Sequence, residues 1–472
     1  RRTPNTRAWA SETIPGLMTV GSHRLNKGFS GNYVWVMSGS TMLDMSVSWA
    51  RFSDGSMSDV RNAIKPSDVG LPGYLDQKAG AYHTLPTIEF SEVETLSTSY
   101  SKFTASGTIA EAKLGMATLV GNHSLKYGYS ERRYWFGADN PGYSSGRFVF
   151  NNNFMRAADD TRTAADHGLE WAAFMMGLPS TITIDTVDTA YWSTRVRSLF
   201  VQDDWRIGNR FRLNLGLRYE REGGITERFN RGMSGEFLND ARLPFTDPAQ
   251  AAYAANPLPE LPASQFRVLG GTAYLGQPNK TFTNGTHRLL PRIGTVYQIN
   301  AATVLRAGYG WYFDTLNANN TRPSQHGYSL PTNTALSNDN GLTFTGVGAA
   351  ENLAANRNPL VDPFPVREDG TRFNVPYGNQ LGVAARAGSG QSFFARDYRP
   401  GGQQRWRLSV QREITPKMII DASYNGALSR IPVNQPINFL PEQYWATGNV
   451  RHQDRDNALN RALPNPFRIT NL

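Results

Sequence analysis

The feature that most constrains this chain is a strict alternation of apolar and polar residues in the second half of residues 199–221. Apolar side chains fall at every second position, namely Phe211, Leu213, Leu215, Leu217 and Tyr219. Polar or small residues lie between them, namely Arg212, Asn214, Gly216, Arg218 and Glu220. Period-two alternation predicts a β-strand with two unlike faces. The preceding residues predict a second strand that ends at Trp205, so the segment is interpreted as a β-hairpin with a polar turn at residues 207–210.

Similar hairpins recur five times, with turns near residues 39, 121, 208, 300 and 415. The connection within each hairpin is about four residues, whereas connections between hairpins run to about 45 to 90 residues. One such hairpin alone would better fit a soluble β-sandwich, but structureless loops of this length are uncommon in compact domains. Outer-membrane barrels combine short periplasmic turns with long outer loops. The repeated pattern therefore predicts an all-β, antiparallel transmembrane barrel.

The pattern predicts about ten strands, with outer strands near Tyr33 and Tyr424 that have no second partner. Loops are expected over residues 1–31, 53–94, 137–189, 224–288, 315–402 and 429–472. One short helix is expected at residues 164–178, ended by Pro179. The proline-rich residues 256–262 are expected to be neither sheet nor helix.

Composition excludes several classes of protein. No apolar run reaches the 18 or so residues that a membrane helix needs, and the chain has no cysteine for disulfides or thiolate metal sites. Residues 1–16 lack the apolar core of a signal peptide, so an exported protein would be represented here by a mature chain or a fragment. The net charge is +9, but the arginines are scattered along the sequence. Because no concentrated basic patch is present, nucleic-acid binding is not expected.

No catalytic constellation stands out, so neither an enzyme nor a cofactor is expected. The seven histidines are isolated from the motifs of metalloproteases and hydrolases. Asp159 and Asp160, close to Asp166 and His167, are better explained as loop residues than as a metal site. Asp203 and Asp204 precede a turn, where bonds to turn amides or to lumen arginines are the favoured explanation.

The polar strand faces carry the candidate binding residues. These charged residues would line the lumen of a barrel, and they are Lys126, Arg212, Arg218, Glu220, Arg292, Arg306, Arg405, Arg407 and Asp421. Charges of this number would cost several kcal/mol per ion in a dry core, whereas a wet lumen removes that cost. Two explanations stay open. The residues pair with each other or with whatever fills the barrel, or they contact a transported solute directly.

Whole phrases of the sequence resemble the barrel of TonB-dependent outer-membrane transporters, in particular the Oar-like group that carries a carboxypeptidase regulatory-like domain. The resemblance covers most of residues 120–440, and its phrases include LFVQDDWRIGNRFRLNLGLRYER, PRIGTVYQINAATVLRAGYGWYFD and QQRWRLSVQREI. It implies a 22-stranded barrel in the outer membrane of a Gram-negative bacterium, with an N-terminal plug and a TonB box that couples to the TonB energy-transducing complex.

The chain departs from that family pattern in three respects. No plug or TonB box is recognisable, about ten strands are predicted rather than 22, and the last residues lack a terminal aromatic strand. Residues 1–472 are therefore interpreted as a partial barrel domain that contacts outer-membrane lipid, without its plug and its C-terminal strands. Three functions are compatible with the sequence: import of a bulky, unidentified solute, a passive porin, or a secreted β-protein that binds glycans.

Overall fold

A computed structural model gives the arrangement of most of the chain. The described residues are 2–5, 20–58, 64–93, 95, 102–139, 141–156, 168–257, 261–276, 280–315, 325–387, 390, 396 and 399–431. Alternating, β-branched and aromatic sequence produces eighteen strands within these residues.

The strands differ greatly in length. In chain order they are β1 Arg2–Asn5, β2 Val20–Val36, β3 Thr41–Ser58, β4 Thr87–Phe90, β5 Lys102–Val120, β6 His123–Asp139, β7 Arg147–Phe150, β8 Thr181–Val187, β9 Ala190–Ile207, β10 Phe211–Glu222, β11 Thr226–Glu227, β12 Met233–Arg242, β13 Leu269–Tyr274, β14 Thr286–Asn300, β15 Thr303–Phe313, β16 Ser329–Thr334, β17 Gly402–Thr415 and β18 Met418–Arg430.

The helices are short and all lie between the hairpins. The α-helices are α1 Tyr74–Ala79, α2 Leu169–Met175, α3 Thr246–Ala255 and α4 Glu351–Ala354. Single 3-10 turns occur at Pro66–Val69, Gly80–Tyr82, Asn153–Met155, Gly348–Ala350, Pro359–Val361 and Gly382–Arg386. In the part of the chain that the structure describes, no helix has the length and apolar character needed to cross a membrane.

One large antiparallel sheet contains ten long strands, as the sequence predicts. Its order is β1-β2-β3-β5-β6-β9-β10-β14-β15-β17-β18, and β11 pairs with β9. Each strand of this sheet lies beside the next strand of the same sheet along the chain, and every such pair is antiparallel. The tight turns of all five hairpins therefore lie at one end of the sheet. The predicted separation of short turns and long connections to opposite ends is confirmed.

The two faces of the sheet follow the alternation of the sequence. Residues of β10 pair in an unbroken register with β9 and β14, so every second side chain lies on the same face across all three strands. Leu215 and Leu217 lie on what we call the outward face and are 40% and 46% exposed. Such exposure of leucine is costly in water but not in lipid, which fits an outward face that meets hydrocarbon.

Two strands at the sheet edges have only one long partner each. In the described part of the chain, β2 pairs with β3 along its length and with β1 over four residues, and β18 pairs only with β17. Among the described residues the sheet does not return to pair β18 with β1 or β2. The predicted edge strands near Tyr33 and Tyr424 are therefore confirmed, and closure of the sheet into a barrel is not seen.

The prediction of a loop over residues 1–31 is wrong. Residues 20–31 belong to β2, and residues 2–5 form β1. The glycines at positions 28 and 31 and the polar residues around them suggested a loop. The edge strand tolerates them because pairing with β3 supplies its backbone hydrogen bonds on one side, so tertiary context overrides local propensity.

The long connections are folded, contrary to the prediction that they are loops. Strands β16, β8, β7 and β4 form a second sheet from three different connections, and β12 pairs with β13 in a third. The second sheet packs with α1 and α2 around a buried cluster, which includes Leu75, Phe90, Phe150, Ile182, Ile184, Leu336 and Phe364. We call this assembly the loop cap. Single apolar side chains contributed by distant connections build its core, and short-range sequence patterns do not reveal them.

The predicted helix at residues 164–178 is confirmed only in part. Helix α2 spans Leu169–Met175, and Gly177 adopts a left-handed conformation before Pro179. Residues 164–167 lie outside the described residues. The described residues of the segment 256–262 are neither strand nor helix, as expected from its prolines.

Candidate functional site

All nine candidate residues lie on one face of the large sheet. The register of neighbouring strands connects them: Lys126 is opposite Gln202, Gln202 is opposite Gly216, and Gly216 is opposite Arg292. The same rows continue through β15, β17 and β18. We call this the arginine face, and its members are Lys126, Arg212, Arg218, Glu220, Arg292, Arg306, Arg405, Arg407 and Asp421.

Glycines separate the arginines across the sheet. Gly310 stands between Arg292 and Arg405 in one row, and Gly308 is next to Arg407 in the adjacent row. A Cβ on Gly308 would meet no side chain within 4 Å, so the backbone beside Arg407 is uncovered. The ring of Tyr312 covers Gly310, and sequence spacing alone did not show this arrangement.

Tyr312 organises the centre of the arginine face. Its ring centroid lies 4.9 Å from the guanidinium carbon of Arg292 and 5.4 Å from that of Arg405. A Cβ on Gly310 would lie 3.2 Å from the Tyr312 ring, so the missing side chain lets the tyrosine lie flat. Cation–π contact fixes both guanidinium groups while their N–H donors remain directed to other acceptors.

Several candidates are paired within the sheet. Arg218 donates to the Glu220 carboxylate at 2.7 Å and to the Ser198 hydroxyl at 2.6 Å. Arg212 lies 3.5 Å from Asp204, and Arg306 donates to the side-chain oxygen of Gln411 at 2.6 Å. For these residues the structure supports the first of the two explanations, pairing inside the protein.

Other candidates are available to a ligand. Within the described residues, Lys126, Arg407 and Asp421 form no side-chain hydrogen bond or ion pair, and all three are exposed. Arg405 donates to Gln403, which leaves further guanidinium donors. Accessible positive charge therefore lies at Lys126 and around Arg405 and Arg407.

The structure adds a buried ionic pair that the sequence analysis did not identify. Arg288 donates to the Glu222 carboxylate at 2.5 Å, and their side chains are only 5% and 3% exposed. Arg288 also donates to the backbone carbonyl of Asp314 at 2.9 Å. The alternation that places Arg292 on the inner face also places Leu290 and Arg288 there, so it could have identified Arg288. It did not, because the strand was predicted to begin at Leu290.

The two aspartates beside the third turn have separate roles. Asp204 lies on the arginine face next to Arg212, which matches the expected alternative of a bond to a lumen arginine. Asp203 lies on the outward face and its carboxylate is 2.6 Å from Nδ1 of His123. Residues 159, 160, 166 and 167 lie outside the described residues, and no group of His, Asp and Glu suited to hold a metal occurs among those described.

The end of the arginine face away from the tight turns is covered by a connection. Phe136 and Trp192 stack there with ring centroids 5.7 Å apart. They are buried together with Ile225, Leu275 and Phe282 from the segment between β10 and β14. Apolar packing therefore closes part of this end, whereas the centre of the arginine face stays polar.

Several titratable groups of the connections have shifted pKa values, and the causes are burial and hydrogen bonding. Burial raises the pKa of Tyr74, whose hydroxyl donates to Asp362 at 2.8 Å. A hydrogen bond to Asp139 raises the pKa of Tyr82 to about 12. Burial lowers the pKa of His326, which contacts Tyr377 and Arg386.

Comparison with known proteins identifies the fold family. No curated protein matches the sequence. Among solved structures, the ferric yersiniabactin uptake receptor FyuA from Yersinia pestis is 9% identical, with a TM-score of 0.37 over 88% of this chain and 37% of that chain. The outer membrane transporter YddB from Escherichia coli is 11% identical, with a TM-score of 0.40 over 90% of this chain and 36% of that one. The copper transporter OprC is 10% identical, with a TM-score of 0.35 over 87% of this chain and 39% of that chain.

The chain thus spans less than half the length of these solved structures. At such identities and TM-scores the similarity carries no argument about the function of this chain. The family comparison is more decisive, because the family described as "Outer membrane beta barrel domain" matches residues 2–470. With its antiparallel sheet, apolar outward face and polar inner face, this chain belongs to the outer membrane beta barrel domain family and has its place in the cell outer membrane.

Proposed function

We propose that this chain forms part of the barrel of a TonB-dependent transporter of the Oar-like group, which imports a bulky, negatively charged solute. The observation that carries the proposal is the arginine face, where seven of the nine candidate residues are cations. Asp204 and the ion pairs Arg132–Glu111 and Arg288–Glu222 lie on the same side of the sheet. The TonB complex, the plug and the remaining strands would be supplied by sequence outside this chain, as the family resemblance implies.

The cations without a carboxylate partner support an anionic solute. Arg218, Arg212 and Arg306 have partners within the sheet, but Arg407 has none among the described residues and Arg405 keeps free donors. Guanidinium groups bind carboxylate and phosphate through two parallel hydrogen bonds. A solute that carries such groups would bind between Arg405 and Arg407, beside the ring of Tyr312.

The loop cap supports a bulky solute rather than small ions. Three connections fold together around a common apolar core at the end of the sheet opposite the tight turns. Long outer connections that form a defined structure are suited to recognition of a large ligand before it enters the lumen. A passive porin has no need of such a recognition surface. Location in the outer membrane does not support the secreted glycan-binding alternative.

The test compares energised uptake with passive conduction. Cells with the full-length protein and cells without it are compared by mass spectrometry of the anionic solutes they remove from a complex medium, with and without TonB. We expect removal of at least one solute to require both proteins. The purified full-length protein should show no steady conductance in a planar bilayer. Uptake without TonB, together with steady conductance, would instead establish the porin.

The arginine face is tested with a paired variant. Arg405→Gln together with Arg407→Gln should reduce uptake of the same solute by about tenfold or more, since each charged hydrogen bond is worth about 1.5–3 kcal/mol. The matched control is Arg412→Gln on β17, an exposed arginine on the outward face near a tight turn. Equal uptake by both variants would show that the arginine face does not contact the solute.

A further inference from the structure

A row of charged residues crosses the outward face just above its apolar belt. In this row Glu131 pairs with Arg197, Arg197 with Arg221, and Arg221 with His287. Arg133 and Arg195 pair in the next row of the same face. We call these six residues the rim cluster. The row immediately below is apolar and aromatic, and it consists of Tyr129, Leu199, Tyr219 and Leu289.

The rim cluster carries an excess of positive charge. Its only carboxylate belongs to Glu131, which lies 3.0 Å from Arg195 and 3.3 Å from Arg197. The guanidinium carbon of Arg133 lies 4.8 Å from the ring centroid of Trp135. Arg221 forms no side-chain hydrogen bond or ion pair with another described residue. Four arginines against one carboxylate leave unsatisfied guanidinium donors on a surface that borders hydrocarbon.

The position of the rim cluster assigns it to one side of the membrane. Tight turns of outer-membrane barrels face the periplasm, so the opposite end of the sheet faces the cell exterior. The row of Glu131, Arg197, Arg221 and His287 lies toward that opposite end, two residues along each strand from the aromatic row, and Arg133 and Arg195 lie two residues further. At a tilt of about 40°, two residues of a strand rise about 5 Å along the membrane normal, so this row lies at the edge of the apolar belt.

A groove lies in the apolar belt, and the aromatic row separates it from the rim cluster. It is lined on the outward face by the apolar Val201, Leu215, Leu217, Pro291, Ile293 and Tyr309, and also by Asp203, whose carboxylate is 2.6 Å from Nδ1 of His123. Along β10, the apolar Leu217 is followed on the same face by Tyr219 and then by Arg221. An acyl chain in the groove would therefore place its own headgroup next to the cations.

We propose that the groove and the rim cluster together bind one phosphorylated glycolipid of the outer leaflet. An acyl chain occupies the groove, and a headgroup phosphate accepts hydrogen bonds from Arg197 and Arg221. Phosphate fits planar guanidinium donors, and the low dielectric constant at the edge of the hydrocarbon strengthens the charge interaction. This site needs only the outer-membrane location and is independent of which solute crosses the lumen.

The experiment measures lipid binding to the full-length protein by native mass spectrometry from detergent micelles. The probes are diphosphorylated lipid A, the same lipid after enzymatic removal of its phosphates, and inorganic phosphate as a competitor. The variants are Arg197→Gln with Arg221→Gln, and Arg197→Lys with Arg221→Lys. Arg412→Gln is the matched control, because this exposed arginine shares the outward face but lies at the tight-turn end.

We expect one tightly retained diphosphorylated lipid, at least tenfold weaker retention in the glutamine variant, and partial recovery in the lysine variant. The unaltered protein should retain dephosphorylated lipid weakly, to the same extent that the glutamine variant retains phosphorylated lipid. Because the unaltered protein alone can be compared with both lipids, the proposal is tested even if a variant does not fold. Equal retention of both lipids would overturn the proposal, and so would displacement of lipid A by inorganic phosphate or equal weakening in Arg412→Gln.

Discussion

Substitution of Leu217 by arginine probes whether the outward face meets hydrocarbon. Leu217 lies in a row with Tyr127, Val201 and Pro291, none of which is charged. An arginine introduced there has no carboxylate opposite it in the register. Asn214→Arg is the matched control on the arginine face, where its register neighbours are Asp204 and Gly294.

The expected cost follows from depth in the bilayer. From Phe211 to Tyr219 the strand rises about 27 Å at about 3.4 Å per residue, or about 21 Å along the membrane normal at a tilt of about 40°. Leu215 lies at the middle of this span, and Leu217 lies about 5 Å above it. An arginine costs about 2–4 kcal/mol at the midplane and about 0–1 kcal/mol near the interface. We therefore expect Leu217→Arg to lower the free energy of unfolding by about 2 kcal/mol, and Asn214→Arg by less than about 1 kcal/mol.

The assay is urea unfolding of the full-length protein in lipid vesicles, followed by tryptophan fluorescence. A third variant, Leu215→Arg, sharpens the test because Asp203 is its register neighbour on the outward face. Although it lies deeper, we expect it to cost no more than Leu217→Arg, since the new guanidinium can pair with Asp203. Equal losses in Leu217→Arg and Asn214→Arg would refute the assignment of the two faces.

Three further predictions concern the inner face and the connections. Arg288→Leu removes the guanidinium group that faces the buried Glu222 carboxylate and should lower the free energy of unfolding by about 3–5 kcal/mol in urea titrations. Arg288→Met with Glu222→Leu should cost much less, and the reverse order would contradict a desolvated pair. Gly310→Val should displace Tyr312 and weaken solute uptake several-fold without lowering the unfolding midpoint. Unchanged uptake would show that Tyr312 does not contribute to solute binding. Burial lowers the pKa of His326, so the unfolded connection binds more protons than the folded one below about pH 6.5. The protection of this connection from hydrogen exchange should therefore fall as pH decreases below that value, and His326→Gln should remove this dependence on pH.

The sequence predicted the large sheet well because its signal is local. Alternation within residues 211–219 sets two faces, and the short turn at residues 208–210 sets the register with β9. The same parity rule correctly put Lys126 and Asp421, far apart in sequence, on one face. Barrel-type strands keep this pattern even where their overall hydropathy is low.

The connections could not be predicted in the same way. The pairing of β4 with β7 is parallel and joins different connections, and β16 comes from a third. Each strand there is short, and its partner is fixed by burial of distant apolar residues rather than by a turn. The position of Tyr312 between Arg292 and Arg405 was also missed, because cross-strand contacts depend on a register that spacing alone does not reveal.

The most direct test of the account is a spin-label scan along β10. Residues 1–472 contain no cysteine, so single substitutions from Leu213→Cys through Tyr219→Cys give unique labelling sites within this chain. The scan uses the full-length protein in lipid, with any cysteine outside residues 1–472 replaced by serine. The account predicts alternation with a period of two: labels at 213, 215, 217 and 219 collide with oxygen dissolved in lipid, and those at 214, 216 and 218 collide with a water-soluble nickel complex. Uniform accessibility along the strand, or a helical period, would contradict a transmembrane sheet with a polar inner face.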